Sequence, residues 1–244
     1  MLERIEYKNI KKYKLYIPFD VNTKSNLYFD KDLIHKIPYR KEIDLDEIVE
    51  YIDKLKLKEL IEIKKLIYYN EYIVGYSMKN YKEYKSLRKF KNRKFDLKKN
   101  DCFKLIKYFN TLSQNNLSYT DCHLGNFLLN PSNNDIKICD IDSLSFKKNK
   151  LLTDNDLKRI LKLLLSYLYN ISDCDIINVL NSSGINLDNS FINNYCFCRS
   201  YISIEKINEI IDKIQYQNTL EEKNYIIKKS KQLSELGYRK YLRY

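Results

Sequence analysis

The sequence predicts an α+β protein in two parts: a small strand-rich N-terminal part carrying one helix, then a larger helical part. Three observations lead there. Runs rich in β-branched and aromatic residues dominate residues 12 to 78, one stretch within them has apolar residues at helical spacing, and after Met78 the pattern turns to long helical repeats.

Taken in order, "KLYIPFD", the polar "VNTKS", "NLYFD", the turn "DKD" and "LIHKIP" read as successive antiparallel strands with hairpin-like connections. A helix follows. Asp44 is its expected N-cap, with Glu47 three residues on as in a capping box, and Leu45, Ile48, Val49, Ile52 and Leu55 recur on one face. Residues 60 to 69 and 72 to 78 straddle "NE" and suit another strand pair. Beyond them, "KKNDCFKLIKYFNTLSQNNL", "DNDLKRILKLLLSYLYN", "IEKINEIIDKI" and "EEKNYIIKKSKQLSEL" all carry helical patterns. A cleft is expected between the two parts.

Composition narrows the function classes. The formal charge of +12 raises the prospect of a nucleic-acid partner, but the lysines are interleaved with Asp, Glu, Asn, Ile and Tyr along the whole chain rather than clustered. The longest apolar segment, "ILKLLLSYLY" at 160 to 169, is broken by Lys162 and falls far short of the roughly 20 residues a membrane span needs. "MLERIEYKNIKKYK" has charges throughout and no apolar core, so no secretory signal is expected. The six cysteines show no paired CxxC spacing, and reduced thiols in a cytoplasmic protein are the expectation.

The chemistry concentrates in "SYTDCHLGNFLLN" and "DIKICDIDS". "NPSNND" is a turn-forming cluster between the apolar "FLL" and "IKI", so the two should form a hairpin that brings Asn126 and Asp140 together. An amide oxygen and a carboxylate at one hairpin end are hard ligands of the kind Mg²⁺ accepts, with nucleotide phosphates completing the shell. Asp121, just before, suits a carboxylate that orients an acceptor hydroxyl and takes its proton.

The residues D-C-H-L-G-N at 121 to 126, with I-C-D-I-D at 138 to 142, resemble the catalytic and metal-binding loops of the protein-kinase-like superfamily. The D-x-H-x-G-N form is closer to the aminoglycoside phosphotransferase and choline kinase branch than to HRDLxxxN. The resemblance implies a two-lobed kinase-like fold that uses ATP and Mg²⁺: an N-lobe at 1–78, a hinge at 79–81 and a helical C-lobe at 82–244. It makes Asp121 the catalytic base, places His123 near the transferred phosphate, and makes Asn126 and Asp140 the metal ligands. Asp142 stands where protein kinases have the glycine of DFG, and is either a further metal contact or a turn residue. Lys36 matches the lysine that neutralises α- and β-phosphates, with Glu50 or Glu47 as its acidic partner. Met78 to Tyr81, including Asn80, resembles the hinge whose backbone reads adenine. Asp156 resembles the aspartate that ties down the catalytic loop. Read singly, Lys36 could equally be a surface lysine and Asp156 a plain N-cap.

The chain departs from the family in three places. No GxGxxG is present, Thr120 stands where protein kinases have arginine, and only sixteen positions separate Asp140 from Asp156. That span leaves no room for a long activation segment, which favours a small hydroxylated acceptor, or a protein recognised outside the usual peptide groove. The leading expectation is therefore an ATP-dependent phosphotransferase. Its alternatives are an inactive kinase-like binding module, a basic nucleic-acid-associated protein, and transfer of AMP in place of phosphate.

Overall fold

The structure is a computed structural model that describes residues 2–16, 25–39, 45–172, 174–176 and 203–235. The protein is α+β, with a six-stranded sheet and several helices. Its contacts divide it into one unit of residues 1–86 with 126–146 and another of residues 87–125 with 147–244.

The first unit is built on strands β1 (Glu3–Glu6), β2 (Lys14–Tyr16), β3 (Ser25–Asp30), β4 (Leu33–Pro38), β5 (Ile63–Tyr69) and β6 (Tyr72–Lys79), in the order β1-β5-β6-β4-β3-β2. All neighbours are antiparallel except β1, which runs parallel to β5. That edge strand and the short helix α1 (Tyr7–Ile10) after it carry no pattern of their own in the sequence. The expected β3–β4 and β5–β6 pairs are present. Asn70 and Glu71 both take positive φ, 47° and 66°, the backbone that joins two strands by a two-residue turn whose twist matches theirs.

Central strand β4 is covered on both faces. Ile37 packs with Ile10, Tyr28 and Ile67 in one apolar cluster. His35 is buried, stacks on Tyr13 and shares a 2.7 Å hydrogen bond with Ser77 Oγ. Lys36 is buried too, opposite Tyr76 in the β4–β6 register. The helix expected after Asp44 is α2 (Leu45–Leu55); Asp44 itself lies outside the described residues. Leu45, Ile48, Val49 and Ile52 form its buried face, leaving Glu47 and Glu50 exposed.

The hairpin read from "FLL" and "IKI" is β9 (Phe127–Leu129) and β10 (Ile136–Ile138), with β7 (Lys85–Ser86) as a third strand beside β9. Ile138 also exchanges backbone hydrogen bonds with Glu59 and Ile61. These bonds tie the hairpin to the segment before β5, and the first unit extends through β11 (Leu144–Phe146). The contact boundary therefore falls at Ser86 instead of 79–81, and 126–146 leaves the part in which the sequence placed it.

The second unit holds α3 (Phe95–Gln114), β8 (Leu117–Tyr119), α4 (Asp154–Tyr169), α5 (Ile204–Lys213) and α6 (Thr219–Glu235). The buried face of α3 includes Leu105, Ile106, Phe109 and Leu112, and it packs against α4 and α5. Helix α4 opens on a full capping box between Thr153 and Asp156 and ends at Asn170 in the left-handed conformation. Among the described residues no helix is long and apolar enough to cross a membrane, and Cys102, Cys122, Cys139 and Cys174 are free thiols. Cys196 and Cys198 lie outside the described residues.

Candidate functional site

In the first unit, Lys36, Asp140 and Asp142 meet, although more than a hundred residues separate the lysine from either aspartate. Lys36 Nζ pairs with Asp140 Oδ1 and donates to Asp142 Oδ1 at 2.6 Å. Tyr76, fully buried, donates its hydroxyl to the same Asp142 oxygen at 2.7 Å, and Ser143 Oγ donates to Asp140 Oδ2 at 2.6 Å. The sheet register explains the convergence. Lys36 and Tyr76 are cross-strand partners on β4 and β6, so their side chains leave the sheet on one face. The aspartates lie just beyond β10, in the turn that leads into β11.

Burial alone would drive the Lys36 ammonium to lose its proton. The attraction of Asp142 and Asp140 and their hydrogen bonds outweigh it, and the pKa is raised above the usual lysine value. The same carboxylates and burial push the Tyr76 phenol far up, so its proton stays on oxygen and remains available to Asp142. One ammonium faces two carboxylates, which leaves a surplus of negative charge at the end of the hairpin. Cys139, beside Asp140, is pushed up to about 12 by burial and by that aspartate, which makes it an inert thiol at neutral pH.

Asn126 enters at the same end of the hairpin, from the strand β9 side. Its carbonyl accepts from Cys139 N–H at 3.0 Å, which sets the backbone of Asn126 beside the residue that precedes Asp140, as the sequence expected of the loop ends. Glu47 and Glu50 require a correction. Neither forms an ion pair with Lys36; they lie on the solvent side of α2 because the apolar spacing turns the opposite face inward, and the aspartates take their place. The residues read as a hinge close strand β6, which runs to Lys79. Met78 is a buried strand residue between Ile34 and Ile63. Asn80 spends its backbone N–H on Asp32 O at 2.8 Å and its amide on Lys31 O, which ties it to the β3–β4 turn, and Lys79 N–H is bonded to Glu62 O.

Asp121 and His123 belong to the second unit and form a local motif. Gly125 N–H donates to His123 Nδ1 at 3.0 Å, so a neutral ring carries its proton on Nε2, which lies 3.5 Å from Asp121 Oδ2. A Cβ on Gly125 would stand 2.7 Å from the imidazole, so any larger residue there would displace the His123 ring. Upstream, Asp156 Oδ1 accepts from Ser118 Oγ on β8 at 2.6 Å, while its Oδ2 accepts from Thr153 N–H and Oγ1. The N-cap of α4 is thus Thr153 and not Asp156, which is the third helical residue of the capping box and also anchors strand β8 through Ser118.

Among the described residues no three His, Cys, Asp or Glu side chains are grouped to hold a metal. The oxygens of Asp140 and Asp142 nonetheless converge on one cation, the Lys36 ammonium, and are hard donors that fit Mg²⁺ when ligand phosphates complete its shell. Tyr76 and Ser143 escaped the sequence reading. Tyr76 is one of many strand tyrosines, and only its register opposite Lys36 singles it out. Neither a family model nor a curated protein matches this chain.

Proposed function

We propose that the protein is an ATP-dependent phosphotransferase of protein-kinase-like fold that passes the γ-phosphate to a hydroxyl of a small molecule or protein. The carrying observation is the meeting of buried Lys36 with Asp140 and Asp142, the lysine and the loop that the motif reading had singled out independently. A buried ammonium costs several kcal/mol unless paired, so an arrangement that keeps one beside two hard carboxylates suits a site for phosphate and metal charge. The mostly antiparallel sheet with α2 after β4, and the β9–β10 hairpin followed by Asp140, support the same fold.

In this reading Lys36 contacts the nucleotide phosphates, and Asn126 and Asp140 would hold Mg²⁺, which neutralises phosphate charge when bound. Asp142, bonded to both Lys36 and Tyr76, first keeps the lysine in place. Asp121 accepts the proton of the acceptor hydroxyl as its oxygen bonds to the γ-phosphorus and the bond to the β-bridging oxygen breaks, leaving ADP. His123 Nε2–H orients the Asp121 carboxylate.

A non-catalytic nucleotide-binding module is the second reading, favoured by the outward-facing Glu47 and Glu50 and by the engaged donors of Asn80. ATP turnover with Mg²⁺, measured beside an Asp121→Ala variant, decides between the two. Turnover that falls by at least about 10²-fold in the variant supports transfer. Nucleotide binding with no turnover that depends on Asp121 supports the module.

A further inference from the structure

The second unit contains a cavity of about 590 Å³ whose walls come from the start of α3, the end of α4 and the start of α6. Among the described residues that line it, the charged ones are Lys91, Arg93, Lys98 and Lys223, with no aspartate or glutamate. Arg93 is paired with buried Asp101 at 2.9 Å. Lys91, Lys98 and Lys223 form no ion pair among the described residues. The neighbouring carboxylate, Glu222, is buried, accepts from the Tyr169 hydroxyl at 2.6 Å and is not part of the wall.

Lys98 is the unusual member. Only 3% of it is exposed, and among the described residues its ammonium has neutral partners alone: Asn170 Oδ1 at 2.7 Å, Tyr167 O at 3.2 Å and the Tyr167 ring, whose centroid is 5.3 Å away. Those acceptors belong to the end of α4, whose dipole favours a cation, but they use two of the three N–H donors and cancel no full charge. Asn170 is itself fixed by its left-handed backbone and by donation to Lys91 O at 2.7 Å, so the amine is held in position. Burial, reinforced by Lys223, pulls its pKa down to about 8, as expected of a cation that lacks a counter-charge.

Phe95 and Tyr216 line the same cavity, with ring centroids 5.8 Å apart. Tyr216 is 74% exposed, an aromatic left open at the mouth of a basic cavity. The volume is in the range of small-molecule sites and much larger than a lone phosphate ion needs. We propose that this cavity binds a small organic phosphate, its anionic group held by Lys98 and Lys223 and its body lying against Phe95 and Tyr216. The site lies wholly within the second unit and does not involve Lys36, Asp140 or Asp142.

Phenyl phosphate tests this by titration calorimetry on the full chain at constant ionic strength. The expected result is binding at one site, tighter than inorganic phosphate and absent for phenol. Lys223→Met and Tyr216→Ala alter partly or largely exposed side chains and should fold; each is expected to weaken phenyl phosphate by about tenfold, which corresponds to about 1.4 kcal/mol. No binding of phenyl phosphate, equal binding of phenol, or unchanged affinity in both variants would overturn the proposal.

Discussion

Lys36 and Lys98 are both buried lysines whose surroundings push their proton affinities in opposite directions. At Lys36 burial is outweighed by Asp142 and Asp140, so the charge persists through the whole physiological range. Lys36→Met would leave two carboxylates facing each other without their cation and should cost on the order of 3 kcal/mol in denaturant unfolding. Asp140→Ala should cost less, because Lys36 keeps Asp142 as its counter-ion. At Lys98 burial wins and the folded pKa falls to about 8. Between that value and the ordinary lysine value of 10.5 the unfolded chain binds more protons at this position than the folded one, so this lysine makes stability rise with pH across that window. Cys102 and Tyr167 beside it are pushed up by burial and do not compete with it at the low end of that window. Unfolding midpoints measured from pH 7.5 to 10 should climb more steeply in the wild type than in Lys98→Met; parallel curves would refute the assignment.

Two elements hold the site residues, and each has a breakable point. Helix α4 depends on the Thr153–Asp156 capping box, and Thr153→Ala should cost about 1 kcal/mol by thermal unfolding. Strand β6 depends on Gly75, where an added Cβ would stand 2.2 Å from Lys36 O on β4. Gly75→Ala must push the two strands apart and should cost about 1–3 kcal/mol while displacing Lys36 and Tyr76 together. Such elements were legible wherever one period ran long enough. The runs "NLYFD" and "LIHKIP" on either side of a turn, the spacing of Leu45, Ile48, Val49 and Ile52, and the run from Phe103 to Leu112 correspond to β3, β4, α2 and α3. Strand β1 was not legible, because four residues bearing three charges carry no period and owe their conformation to pairing with β5.

At the scale of the chain, the candidate site was legible as a motif and illegible as a set of contacts. "DCHLGN" and "ICDID" mark Asp121, Asn126, Asp140 and Asp142 through local spacing, whereas the partner of Lys36 is set by how β4, β6 and the β10–β11 turn come together across more than a hundred residues. The resemblance to kinase-like proteins looks for the lysine's partner on the following helix and so picks Glu47 or Glu50, whose side of α2 is exposed. The net charge of +12 likewise carries no address, since several of the contributing lysines are spent in ion pairs with Asp or Glu, as Lys65 with Glu3 and Lys82 with Asp32. Calorimetric titration of Mg²⁺-ATP into the full chain and into Asp140→Ala tests most directly the Mg²⁺-nucleotide site on which the account rests, because that variant keeps the Lys36–Asp142 pair and hence the surrounding structure. Binding that requires Mg²⁺ in the wild type and weakens by about tenfold or more in the variant is the predicted result. Mg²⁺-ATP binding of equal affinity in both proteins, or none in either, would contradict it.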